Sequence, residues 1–265
     1  MREAYRHNAH RMWITNIHEP KTVSYQLELF LDMAWDINAI QPSTLNRHLE
    51  NWLCRDFGEQ AGRKMFPAML TYYRLTAMRR PEFMGWNILS SKVPWGRDGM
   101  PIKDSEFNQH EFGNEINRYL GYWQQAREQL AEAERLMPAR LKDAFFSHVK
   151  YRVLAAAAQS EKMLEAQRAR SIARKNYDVS RWTRDTALYT ACAKSQQAYQ
   201  QIRSLTRYWN EDMAGGKWCY SMCDIPRDHK VFYAPVLPVA LTDVEVEKYA
   251  ASPTPKAMPY GKLKD

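Results

Sequence analysis

Glu28 and Asp32 stand four residues apart in a stretch with helical patterning, so both carboxylates can face one side of a helix. Paired carboxylates are the minimum for general acid and base work, glycoside hydrolysis included. Asp36, Glu82, Asp98, Asp104 and Glu106 are further acidic candidates, and solvated surface carboxylates are the ordinary reading of all seven. The histidines are His7, His10, His18, His48, His110, His148 and His229, and none forms an H-E-x-x-H or comparable zinc pattern. No G-x-S-x-G, P-loop or G-x-G-x-x-G occurs, so neither a metal nor a cofactor is expected. Four cysteines, Cys54, Cys192, Cys219 and Cys223, read as buried free thiols. A Cys219–Cys223 disulfide would require a turn between them.

Two segments resist so bland a reading. Asn16 ends the apolar burst Met12–Ile17, just before Pro20 and Lys21. A polar residue at the end of a strand, ahead of a βα loop, sits where ligand-binding residues sit at the C-terminal face of a barrel. A turn-capping Asn is the alternative. The second segment runs from Gly215 to His229 and joins an aromatic, Trp218, to the cation Lys217 and to His229 in a loop.

The elements that must position these residues follow from periodicity. Met12–Ile17 is β-branched and aromatic and predicts a short strand. Leu27, Phe30, Leu31 and Ala34 share a face of a helix from Val23 to about Trp35, which completes one βα unit. Ser43 reads as the N-cap of a helix carrying Leu45, Leu49, Trp52 and Leu53, which ends near Gly58. A second helical run over about 59–79 contains Pro67, which predicts a kink or a later start. Residues 81–106, with Trp86 and Trp95, read as a long irregular loop. Three long helices follow, over about 107–136, 139–175 and 178–212. The first carries Phe112, Ile116, Tyr119 and Trp123, the second an Ala155–Ala158 run, and the third ends at Gly215 and Gly216. Short connections make the neighbours antiparallel. Six prolines from Pro226 onward predict an extended, helix-free tail that wraps the bundle and becomes disordered.

The expected fold is therefore mainly α: a βα unit over 1–40, an antiparallel helical bundle over 41–216 and an extended tail over 217–265. Composition agrees. Only 10 glycines occur in 265 residues, where average usage would give roughly 18–19, which excludes a complete doubly wound sheet or barrel. The net charge of +8 permits anionic partners. Its densest run, Arg168 to Arg184, lacks interleaved aromatics, and no nucleic-acid-binding signature accompanies it, so no nucleic acid is expected. No apolar run approaches the roughly 18 residues of a membrane span. No secretory signal segment opens the chain, which leaves its compartment open.

Read together, Arg11-Met12-Trp13-Ile14-Thr15-Asn16-Ile17, Phe30-Leu31-Asp32-Met33-Ala34-Trp35, Arg79-Arg80-Pro81-Glu82 and Gly216-Lys217-Trp218 with Met222 and His229 resemble glycoside hydrolase family 115, the xylan α-glucuronidases. The four anchors match that family's R-x-W-I-x-N-V, F-F-L-D-M-A-W, R-K-P-E and G-K-W…M…H segments in order. The resemblance implies an enzyme built from an N-terminal α/β domain, a (β/α)8 catalytic barrel, a helical bundle and a C-terminal β-sandwich. This chain would begin at the last barrel strand and cover the bundle. The catalytic acid and base would lie upstream, so the chain alone would lack hydrolase activity. The resemblance carries substrate contact over only to Asn16. Lys21 is a weaker candidate for the uronate carboxylate, since an ammonium suits that charge. Trp218 and His229 would be site-proximal. The implied partners are glucuronoxylan-derived carbohydrate, the barrel, and a second copy met through the bundle. Full-length relatives would be secreted or periplasmic. The reading from another class is a stand-alone basic helical-bundle interaction module. The hydrolase reading predicts an exposed apolar face at Trp13, Ile14 and the 27–34 helix, because large exposed apolar patches mark partners.

Overall fold

In the computed structural model, residues 1–86, 103–175 and 185–253 are described. Among them the fold is mainly helical, as the periodicity requires. Trp95, Asp98, Arg181, Trp182, Arg184 and the end of the tail lie outside the described residues. The chain divides into two units, residues 1–70 with 127–153, and residues 71–126 with 154–265.

The first unit contains α1 (Arg2–Arg6), α2 (Ser24–Trp35), α3 (Leu45–Phe57) and the first half of α4 (Glu59–Met78). It also holds the end of α5 (Glu115–Arg135) and α6 (Lys142–Phe145), which a π-turn over Phe146–Lys150 joins to α7 (Tyr151–Lys175). Leu49, Trp52 and Leu53 are buried as their spacing predicts, and an aromatic chain runs Tyr25–Trp52–Phe57–Phe145 with ring centroids 5.3, 6.1 and 6.3 Å apart. Each such pair adds about 0.5–1.5 kcal/mol beyond its area. The Arg152 guanidinium donates to the Thr22 carbonyl and, at 3.2 Å, to Gln26 Oε1, which holds the start of α2.

Several local expectations are corrected here. Met12–Ile17 forms no strand. A strand needs a ladder partner, and the described part of this unit offers none. Instead Trp13 Nε1 donates to the Ala9 carbonyl at 2.5 Å, and its ring packs 5.9 Å from that of Phe30. Thr44, not Ser43, occupies the N-cap of α3, with its hydroxyl tied to Gln41 in a turn. The helix α4 runs through Pro67 without a break. One lost backbone bond there is outweighed by the complete burial of Met65, Ala68 and Met69 around it.

The second unit carries the rest of α4 and α5, most of α7, α8 (Thr186–Arg207) and α9 (Asp243–Ala250). A two-residue antiparallel ladder pairs β1 (Gly85–Trp86) with β2 (Lys103–Asp104). The helix predicted over 107–136 starts only at Glu115, because Phe112, Gly113 and Asn114 have φ of 51, 65 and 57°, a left-handed run that no helix continues. Beyond α8, a π-turn over Tyr208–Asp212 leads to the left-handed Ala214 and Gly215, so the double glycine ends the element as its sequence implies.

The tail is not helix-free. The stretch from Val239 to Ser252 contains no proline, and Thr242 and Glu245 form a capping box that opens α9. Val246 and Ala250 then pack on Ala169, Leu188 and Cys192. The cysteines are all free, but only Cys192 is fully buried, while Cys219 and Cys223 are exposed. Asp185 caps α8 by accepting from the Leu188 amide at 3.0 Å. Asp185→Ala is expected to cost about 1 kcal/mol of stability, read as a lower thermal midpoint. An unchanged midpoint would show the cap to be idle.

Candidate functional site

The first unit presents a cavity of about 420 Å³ at the predicted βα segment, lined by Tyr5, His10, Trp13, Phe30, Leu31 and Trp35, among others. Phe30 packs against Trp13, whereas Leu31, which belongs to the same predicted stripe, stays outward with Trp35. The Tyr5 ring lies 4.2 Å from His10 and 6.5 Å from Trp13, so the wall is aromatic and held by its own stacking. Around it Trp35 is 94% exposed, Met12 76% and Leu31 55%, and Ile14, nearby in the chain, is 83% exposed. Four large apolar side chains in water within so short a run of sequence are an apolar surface that asks for cover. Of the face expected at Trp13, Ile14 and the 27–34 helix, Ile14 and Leu31 are exposed, whereas Trp13, Leu27 and Phe30 are half-buried.

Asn16 is exposed, and its side chain makes no hydrogen bond among the described residues. Lys21 is half-buried in the 3-10 turn Pro20–Val23, whose start is capped by the Glu19 carboxylate accepting from the Lys21 amide at 3.1 Å. The two are not joined by a hydrogen bond. Lys21 and Arg152 both act on His148, whose pKa is lowered first by burial and then by these two cations. Trp218 and His229 belong to the second unit. Lys217 Nζ lies 5.1 Å from the centre of the half-buried Trp218 ring. His229 is exposed and closes a 3-10 turn through its backbone.

The i, i+4 pair does face one side of α2. His48 from α3 meets it there, with Nε2 3.0 Å from Asp32 Oδ2 and Nδ1 3.3 Å from the Tyr25 hydroxyl. Glu28, Asp32 and His48 can each offer a ligand atom within 4.8 Å of the others, a donor set that suits a divalent ion. Glu28, however, also accepts from Arg55 through both oxygens, at 2.6 and 2.7 Å. That bidentate pair raises the Arg55 pKa and occupies the carboxylate. The arrangement is a charge network linking α2 to α3. Sequence spacing shows half of it, because His48 and Arg55 come from another helix and only packing aligns them.

Residues 1–83 match the family described as glycosyl hydrolase family 115. Among solved structures, the chain is similar to BtGH115A, described as a novel family GH115 4-O-methyl-alpha-glucuronidase with specificity for decorated arabinogalactans. The TM-score is 0.72 at 31% identity, over 91% of this chain and 28% of that one, so the chain spans just over a quarter of that relative. No curated protein matches the chain.

Proposed function

Because the chain belongs to glycoside hydrolase family 115, we propose that it forms the C-terminal helical portion of an α-glucuronidase that removes (4-O-methyl-)glucuronic acid side chains from a polysaccharide. The observation that carries this reading is the exposed apolar face of Met12, Leu31 and Trp35 around one cavity, which suits cover by a catalytic barrel. The barrel supplies the acid that protonates the leaving oxygen and the base that activates water. Asn16 hydrogen-bonds the uronic acid from the segment beside this face. Lys21 is the weaker candidate for its carboxylate, since it also bears on His148. The 1–40 segment ends the barrel, residues 41–216 brace it, and the tail covers the bundle. Glucuronoxylan is the substrate that the motifs favour, and decorated arabinogalactan is the one that BtGH115A favours.

The test joins this chain to the barrel of a family 115 enzyme and measures uronic acid released from decorated xylo-oligosaccharides and arabinogalactan. The joined protein is expected to be active, and Asn16→Ala in it to lower kcat/KM by about tenfold or more, the worth of one lost hydrogen bond. The 265-residue chain alone is expected to release nothing. Turnover by the chain alone would overturn the reading. Leu31→Glu with Trp35→Glu should abolish barrel association. If the doubly substituted chain still associates, the apolar face is not the joint, and if it instead loses a dimer, the face pairs two copies.

A further inference from the structure

We propose that the cleft beside the Arg79-Arg80-Pro81-Glu82 turn is a saccharide-binding site for a single neutral pyranose ring. The cleft lies wholly within the second unit, and its volume of about 350 Å³ is within the range of small-ligand sites. Tyr72 and Phe232 line it, and so do Arg80 and Glu82 from the turn. The turn is fixed from behind: the Arg79 guanidinium donates to the Phe83 carbonyl at 2.9 Å and to Glu106 at 2.7 Å, and Pro81 opens a 3-10 turn that sets Glu82.

Gln159 gives the cleft its chemical demand. It lines the cleft and is only 4% exposed. Its amide nitrogen donates to the Val231 carbonyl at 3.1 Å, which fixes the orientation of the side chain. Its Oε1 is buried without a hydrogen-bond partner among the described residues. A buried acceptor left unpaired costs about 1–3 kcal/mol, and a ligand hydroxyl would recover that cost. A pyranose supplies what each wall asks for. Its C–H face suits the aromatic rings, and its hydroxyls both donate to Gln159 and Glu82 and accept from Arg80. One cation and one anion line the cleft, so its charge sums to zero and favours neither a uronate nor an amine. The Ala155–Ala158 run matters here, since Ala155 and Ala156 leave the room that longer side chains would fill. The inference stands whether or not the chain is part of a hydrolase.

The intact chain is titrated with methyl β-D-xylopyranoside, methyl β-D-galactopyranoside and sodium glucuronate, followed by saturation-transfer NMR and by chemical-shift changes. A neutral glycoside is expected to bind with Kd on the order of 1–10 mM. Arg80→Ala and Glu82→Ala, at the rim, are expected to weaken it about fivefold or more while leaving the thermal midpoint in place. No saturation transfer at about 50 mM glycoside, tighter binding of glucuronate than of either glycoside, or affinity unchanged in both rim variants would each overturn the proposal.

Discussion

Raising the pH from about 7 to 9 should stabilise the protein by about 2 kcal/mol, and Lys162→Met should remove most of that gain. Lys162 is completely buried on α7, and its Nζ donates to the carbonyls of Val231 at 2.7 Å and Tyr233 at 3.1 Å, which holds the tail against the helix. Burial alone drives its pKa from 10.5 down to about 7. The Tyr199 ring, 5.7 Å from Nζ, favours the charged form too weakly to reverse this. A neutral amine keeps two N–H groups, enough for both carbonyls. Between pH 7 and 10.5 the unfolded chain holds a proton on this lysine that the folded one has lost, so stability rises with pH across that window. Below pH 7 the lysine is charged in both states and the cost of burying the ammonium is fully present.

Other groups shift too, and Glu165, raised from 4.5 first by burial, works in the opposite sense by costing stability as the pH rises above that value. His148, lowered from 6.5, acts below this window, and Cys192, pushed up to about 11 by burial, weakens the fold only above pH 9. Urea denaturation at pH 7, 8 and 9 reads the effect, and the difference between native chain and variant cancels groups common to both. A native midpoint that does not rise, or a variant that rises as steeply, would show that Lys162 stays charged in the fold.

The second large effect is steric. Gly62→Ala is expected to destabilise the protein by about 3 kcal/mol, at the upper end for overpacking. A Cβ at Gly62 would stand 2.5 Å from the Cys54 nitrogen, 2.6 Å from its Cα and 2.7 Å from the Leu53 carbonyl carbon. All three are backbone atoms of α3, so no rotamer change can relieve the clash. The two helices are joined by Gly58 alone, at φ 90°, and cannot part without moving the turn. In an exposed helix the same substitution would gain about 1 kcal/mol from propensity, so even the sign reports the close approach. A thermal midpoint that rises in Gly62→Ala would mean that α3 and α4 do not cross at this residue.

How much of this was legible in the sequence differs by kind. Helical stripes were, because a 3-4 spacing of large apolar residues leaves a helix one face to bury. Leu49, Trp52, Leu53, Ile116, Tyr119 and Trp123 are buried as spaced. The stripes misled at their edges. Leu45 and Phe112 fit the period yet are exposed, Leu45 in the first turn of its helix and Phe112 in a left-handed turn before one. Propensity predicts a strand at Met12–Ile17 but cannot supply a pairing partner. The number of prolines in the tail hides its helix, which fits in the gap between Pro238 and Pro253, where Thr242-x-x-Glu245 spells a cap.

The candidate sites divide in the same way. The anchors around Asn16 and the Arg79–Glu82 turn are contiguous residues, and contiguous residues carry a family resemblance in sequence alone. The Glu28–Asp32 pair was visible for the same reason. His48 and Arg55, which complete it, and Gln159 and Phe232, which meet Glu82 in the cleft, come from elements far along the chain, and only helix packing sets their distances. Lys162 is the limiting case. Its type predicts water, its neighbour Met163 predicts core, and the tail carbonyls settle the matter by offering acceptors inside the fold. A Gly-poor, mainly helical chain can be read from the residues directly, because composition and local periodicity are properties of neighbours, and the four motifs add the resemblance to family 115. Which polar groups are buried, which apolar ones stay exposed, and what they could bind were decided by tertiary structure, since desolvation and hydrogen-bond partnership depend on residues that the chain brings together only when folded.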